Sequence, residues 1–172
     1  SLRSIINYLI ELKKRYQFPI VVSTHPRTRD RIDKLNLLKD SKNEIEFLKP
    51  FGFFDYNNLQ INSFCTISDS GTISEESSIL NFPAVTLRKS IERPEALDTG
   101  TISLTGSGLE DFLNNIKIAT LIRKKELNTD REIPVEYQIK NVSERVLKLI
   151  AGTANLNSKW NNIDNFSRYN WN

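Results

Sequence analysis

The sequence predicts a doubly wound α/β domain, a parallel sheet with helices on both faces. Three observations carry that expectation. Short β-branched apolar runs such as FPIVVSTH and FCTIS read as buried strands. They alternate with segments whose apolar residues recur at helical spacing. No repeat of fixed period replaces that alternation. Strand–helix–strand units of this kind call for right-handed crossovers and a sheet covered on both sides.

Each element follows from its own residues. Leu2, Ile5, Ile6, Leu9, Ile10 and Leu12 predict a first helix from about Arg3 to Tyr16, with Lys13, Lys14 and Arg15 in its last turn, where cations favour the dipole. FPIVVSTH is the first strand. Pro26 suits the first turn of a helix from about Arg27 to Leu38. NEIEFLKP is the second strand, and DYNNLQINS a short helix that Asp55 is placed to cap. FCTIS is the third strand, GTISEESSIL the next helix, and AVTL, introduced by Pro83, the fourth strand. RKSIERPEALDTG reads as a loop and TISLTG as a fifth strand. Helices follow from about Leu109 to Lys125 and from about Val142 to Ile150. The expected organisation is one domain over 1–150 and a polar, Asn-rich tail over 151–172, with Trp160 and Trp171 as candidate docking residues.

Composition narrows the function classes. The chain has 172 residues, enough to bury a sizeable core, and its 38% hydrophobic and 26% charged residues are those of an ordinary globular protein. No apolar run approaches the roughly 20 residues that span a bilayer, and no leader pattern opens the chain, so neither a membrane nor export is expected and a cytoplasmic location is the default. Net charge is +3, with cations scattered among acids, which argues against a nucleic-acid partner. The single Cys65 cannot form an internal disulfide and reads as a buried strand cysteine. With one histidine and one cysteine, no zinc site is expected. No G-x-G-x-x-G, Walker loop or local catalytic triad motif is present. There is no methionine, and the chain opens inside a helical pattern, so it is expected to be a piece of a longer protein.

The candidates for chemistry gather where strands end. Ser70-Gly71-Thr72 lies between a strand and a helix, at the carboxyl edge where open α/β sheets bind ligands. The unpartnered amides and dipole of a helix start favour an anion there, Gly71 allows close approach, and the hydroxyls of Ser70 and Thr72 can donate to it. A second reading needs no ligand: Thr72 and Glu75 fit a T-x-x-E capping box. Glu75 and Glu76 are adjacent and point off different faces, which leaves Glu76 either solvated or free to accept from sugar hydroxyls. Arg93, held extended by Pro94, reaches the same edge, as a phosphate clamp or a surface ion pair, with Glu92 and Glu95 placed to orient it. His25 ends the first strand at that edge. Among Phe51, Phe53, Phe54 and Tyr56, two or three are expected in the core, and one ring can stack on a base.

The segments THPRTRDRI, SDSGTISEESSILNFPAVTLR and ERPEALDTGTISL together resemble the non-hydrolysing UDP-N-acetylglucosamine 2-epimerase family, over about Ser1 to Ile150. That family's pattern runs from a histidine–proline strand end through D-S-G-G-x-x-E-E to R-x-x-x-E-R-P-E. The resemblance implies a Rossmann-like three-layer domain, the second half of a two-domain GT-B fold. It implies UDP and a UDP-N-acetylhexosamine as ligands, no cofactor, and a homodimer when full length. Ser70, Gly71 and Thr72 would hold the diphosphate, Glu76 the ribose, Tyr56 the uracil, and Arg93 the phosphates or the cleft. His25 would face substrate or an effector UDP-sugar. The acid/base carboxylates would come from a first domain this chain lacks. Thr72 departs from the family's second glycine. Some family members act on 6-deoxy UDP-sugars for capsule or O-antigen. The alternatives are a GT-B glycosyltransferase domain and a non-catalytic UDP-sugar-binding module.

Overall fold

The computed structural model describes residues 2–36, 45–88, 90, 93–105, 108–124, 132–154 and 156. The chain divides into two compact units, Ser1–Pro134 and Val135–Asn172. The first carries all the strands among the described residues.

Helix α1 (Leu2–Tyr16) buries Ile6, Leu9 and Leu12, the stripe its spacing requires. It stops because Gln17 turns left-handed, with φ 57°. Strand β1 (Ile20–Ser23) pairs in parallel with β2 (Ile45–Leu48), Ile20 opposite Ile45. Between them α2 (Pro26–Lys34) begins with proline at its first turn and ends at Leu35, earlier than expected; the end assigned to it at Leu38 lies outside the described residues. Arg29 of α2 donates to the carbonyl of Phe47, tying helix to strand. Helix α3 (Phe53–Asn62) starts two residues before the expected cap. Gly52 takes the cap position and Asp55 falls within the first turn, where its charge suits the dipole instead.

Strand β3 (Thr66–Ser68), helix α4 (Ile73–Leu80), strand β4 (Ala84–Thr86), helix α5 (Pro94–Asp98), strand β5 (Ser103–Leu104) and helix α6 (Leu109–Lys124) complete the unit. Strands β3, β4 and β5 form a parallel ladder with Ser68 opposite Thr86 and Thr86 opposite Leu104. All pairing is parallel, as expected, but in two ladders, β1-β2 and β3-β4-β5, rather than one sheet. The segment taken as a loop contains α5: Pro94 keeps Arg93 out of helical geometry yet is itself a good first helical residue. The helix ends at Gly100, whose φ of 68° only glycine adopts without strain.

The core joins both ladders to two helices. Leu9 and Leu12 of α1, Ile45, Val85, and Phe112, Ile116 and Ala119 of α6 form one cluster, with Ile20, Val22, Phe47 and Ile67 packed against it. The rings of Tyr8 and Phe112 meet at 5.4 Å. In β4, Val85 points into that cluster, while Ala84 and Thr86, on the other face by alternation, are equally buried. A strand buried on both faces is the three-layer signature of a parallel sheet. Cys65 precedes β3 rather than lying in it, and burial pushes its thiol up to about 12.

The second unit holds a 3-10 turn (Val135–Gln138) and helix α7 (Val142–Thr153), on which Val146, Leu147, Leu149 and Ile150 are exposed. Residues 157–172, including Trp160 and Trp171, lie outside the described residues. No described helix is long and apolar enough to cross a membrane.

Replacing Phe112 by alanine removes a ring only 1% exposed, so urea denaturation is expected to show a loss of about 3–5 kcal/mol. The Cys65 thiol is expected to stay unreactive toward a thiol reagent near pH 8 in the folded chain. Because its folded pKa is raised, its contribution to stability is present below the ordinary thiol value of 9.0 and is lost as pH rises toward about 12. Denaturation midpoints across that range check the sign.

Candidate functional site

The carboxyl edge of the β3–β4–β5 ladder carries a pocket. Ser70, Gly71, Ile73 and Ser74 line it from the start of α4, Thr86 and Arg88 from the end of β4, and Arg93 from the start of α5. Parallel pairing brings them together. Ser68 and Thr86 are opposite one another, so the segments that leave them, 69–72 and 87–88, emerge side by side. Leu87 extends the ladder by donating its amide to Ser68 O at 3.0 Å. Thr105 donates both its amide and its hydroxyl to Thr86 O, at 3.1 and 3.0 Å, which fixes the strand end at the pocket.

The turn into α4 is built from hydroxyls. Ser68 Oγ accepts from the amide of Ser70 at 3.0 Å, and Ser70 Oγ accepts from the amide of Thr72 at 3.3 Å. The hydroxyls of Ser70 and Thr72 bond each other at 2.9 Å. Serine at one position accepting from the amide two residues on is a local turn device, and it explains the alternation Ser68-x-Ser70-x-Thr72. The Thr72–Glu75 capping box is not formed. Thr72 is the cap residue, but its backbone is helical and its side chain makes no capping bond to the helix. Glu75 turns away instead, and its Oε1 receives Arg93 Nε at 2.7 Å.

Arg93 and Glu75 thus pair with each other across α4 and α5. Both side chains are about one-third exposed, so the pair adds little stability and serves to place the guanidinium beside the helix start. Glu92 lies outside the described residues. Arg88, which no local motif singles out, is the second arginine lining the pocket. Its Nε donates to Asp69 O at 2.5 Å, clamping the turn between β3 and α4. The pocket thus has two guanidinium groups, a helix N-terminus and several hydroxyls, a donor set suited to an anion with many oxygens.

Glu76 leaves α4 in another direction, as adjacency requires, and its Oε2 accepts from Gln60 Nε2 of α3 at 2.6 Å. Tyr56 sits one turn before Gln60 on the same helix. Its phenol is held above the ordinary range by burial first, then by the negative charges of Glu76 and Asp69. Tyr56, Gln60 and Glu76 therefore form a second cluster, joined to the pocket through the first turn of α4. Gln60 was missed because a glutamine on a polar helix reads as solvated; it is only 3% exposed. The expectation that two or three of Phe51, Phe53, Phe54 and Tyr56 are core residues is corrected. Phe53 and Phe54 are 77% and 84% exposed and meet edge to face at 5.5 Å, while Phe51 and Tyr56 are half-buried. Helix α3 instead turns the face carrying Tyr56 and Gln60 inward.

His25 has a structural task. It caps α2, its Nδ1 accepting from the amide of Arg27 at 3.2 Å, while its ring stays exposed. It follows β1 in the other ladder and does not line the pocket. Ser70, Gly71 and Arg93 are thus brought together. Thr72 contacts that group through Ser70, Tyr56 and Glu76 adjoin it, and His25 stands apart from it in the described contacts. No group of three or more potential metal ligands occurs among the described residues.

Comparison with known proteins bears on this arrangement. The sequence profile described as UDP-N-acetylglucosamine 2-epimerase matches residues 1–151. A Methanococcus maripaludis protein named UDP-N-acetylglucosamine 2-epimerase is 35% identical over 118 residues, which cover 67% of this chain and 32% of that protein. Among solved structures, UDP-N-acetylglucosamine 2-epimerase from Rickettsia bellii superposes with a TM-score of 0.77 at 39% identity, over 92% of this chain and 43% of the other. The Methanocaldococcus jannaschii UDP-GlcNAc 2-epimerase in complex with UDP-GlcNAc and UDP superposes with a TM-score of 0.73 at 28% identity, over 88% and 41%. The chain spans about a third of the length of the first of these relatives and about two-fifths of the other two. Its fold is the Rossmann-like half of a GT-B architecture, and the chain belongs to the UDP-N-acetylglucosamine 2-epimerase family.

Proposed function

We propose that this chain is the UDP-binding half of an enzyme that inverts C2 of a UDP-N-acetylhexosamine. The observation that carries the reading is the pocket lined by the start of α4 together with Arg88 and Arg93. The Gly71 amide and the hydroxyls of Ser70 and Thr72 take the diphosphate, and Arg93 closes on it from α5. Glu76 accepts from the ribose hydroxyls. Tyr56, on the helix that also contacts Glu76, packs against the uracil. His25, outside this cluster, faces substrate or an effector UDP-sugar across the interdomain cleft. The complex of the Methanocaldococcus jannaschii relative with UDP-GlcNAc and UDP supports the choice of ligand.

The reaction is the one the resemblance to the 2-epimerase family implies. A base on a partner domain removes the C2 proton, and the electron pair forms a C1–C2 double bond as the C1–O bond breaks. UDP leaves with the bonding pair. A proton then reaches the opposite face of C2 and the UDP oxygen adds back to C1. Negative charge grows on the leaving diphosphate, where the guanidinium groups and helix amides already point, so they stabilise the transition state more than the ground state. Two acid/base groups must serve opposite faces of C2; we assign them to a first domain outside this sequence. The same reading places the full-length protein in the cytoplasm as a homodimer, making amino-sugar precursors of surface polysaccharide, 6-deoxy sugars among its substrates. The resemblance of the motifs supports that placement.

In a titration of the 172-residue chain with UDP, amide shifts are expected to cluster at Tyr56, Ser70 to Glu76, Arg88 and Arg93; shifts centred elsewhere contradict the assignment. Arg93→Ala is expected to weaken UDP by about 1.5–3 kcal/mol, roughly ten- to a hundredfold in Kd, as calorimetry will read. Given UDP-N-acetylglucosamine, the chain alone is expected to yield no C2-inverted product by NMR; turnover would place the acid/base groups here instead.

A further inference from the structure

Gln60 is the least expected residue beside the pocket. On α3, Phe53, Phe54, Leu59 and Ile61 are exposed, yet this amide is 3% exposed. Its Nε2 donates to Glu76 Oε2 at 2.6 Å, while its Oε1 makes no hydrogen bond among the described residues. A buried amide with an unmet acceptor costs stability, and an aliphatic side chain of the same size would not. Such a group persists where its donor has a task. Here the donor is neutral. It fixes one carboxylate oxygen without supplying a competing countercharge, and leaves the other oxygen to a ligand.

We propose that Gln60 is a positioning residue for nucleoside recognition, orienting the Glu76 carboxylate toward the ribose diol and so setting how strongly the site grips ribose hydroxyls. The proposal rests on the UDP-binding reading and extends it to a residue outside the phosphate pocket. The placement of Tyr56 one turn earlier on α3 fits it. The helix that presents the ring to the base would then also orient the carboxylate that holds the sugar, so base and ribose are read from one rigid element. Without the Nε2 donor, Glu76 is free to rotate among its rotamers, and the cost falls on ligands that use the carboxylate.

The test compares Kd values for UDP and for 2′,3′-dideoxy-UDP, which lacks both ribose hydroxyls, by calorimetry on the 172-residue chain. Gln60→Leu is expected to weaken UDP roughly three- to tenfold and the dideoxy nucleotide less than about twofold, with a melting temperature equal to or above that of the unsubstituted chain. In a Glu76→Ala background the same substitution is expected to change neither Kd. Gln60→Glu supplies an independent variant. It sets two carboxylates face to face and is expected to weaken UDP more than Gln60→Leu does. Equal losses on both nucleotides, a loss that persists with Glu76→Ala, or no loss at all overturns the positioning role. If the unsubstituted chain fails to bind UDP, the parent reading fails and this one with it; if it binds UDP and Gln60→Leu is neutral, this proposal alone fails.

Discussion

Everything at the site depends on one constraint, the parallel, in-register pairing of β3, β4 and β5. Parallel neighbours cannot be joined by a tight turn; each connection must cross back over the sheet, so successive strands end at the same edge. That edge receives the start of α4 from β3 and Arg88 from β4. Thr86 is the pivot. It pairs with Ser68 on one side and Leu104 on the other, its carbonyl takes the amide and hydroxyl of Thr105, and its own hydroxyl accepts from the Arg88 amide at 3.3 Å. Buried on a strand covered on both faces, it has no freedom to drift. The pocket inherits its geometry from a strand buried on both faces.

The electrostatics are arranged with lighter bonds. Arg93 is held by Glu75 and Arg88 by the Asp69 carbonyl. A partly exposed ion pair contributes about 0–1 kcal/mol, so an incoming anion can share the guanidinium without breaking a strong bond. Buried hydroxyls do the more permanent work of fixing α5. Ser78 Oγ lies 2.6 Å from Ser74 O and 2.8 Å from Thr101 Oγ1, which in turn donates to Ala96 O at 3.1 Å. The helix that carries Arg93 is thus tied to α4 by uncharged contacts, while the Arg93 guanidinium is held by a partly exposed ion pair.

Much of this was legible in the sequence because it is local. Strand and helix periods, the strand-to-helix turn at Ser70-Gly71, and the opposite directions of Glu75 and Glu76 follow from one or two turns of chain. The rest depends on pairings between distant segments. Glu75 was open to a capping role because nothing nearby in sequence shows Arg93 waiting one strand away. The ambiguity of proline hid α5: it restricts the residue before it and favours a helix start at itself. Gln60 carries no periodic signal, since an amide on a polar helix looks exposed until Glu76 is seen opposite. Phe53 and Phe54 misled in the reverse direction, apolar in composition and yet facing outward. The phosphate reading came from the order of the motifs along the chain, and what the structure adds is the meeting of Ser70, Gly71, Arg88 and Arg93 around one pocket.

The most direct measurement is a crystal structure of the chain with UDP bound. The account predicts the diphosphate between the first amides of α4 and the Arg93 guanidinium, with the ribose hydroxyls on Glu76. A nucleotide whose phosphates sit away from the carboxyl edge of β3 and β4, with Arg93 still closed on Glu75 alone, would contradict it.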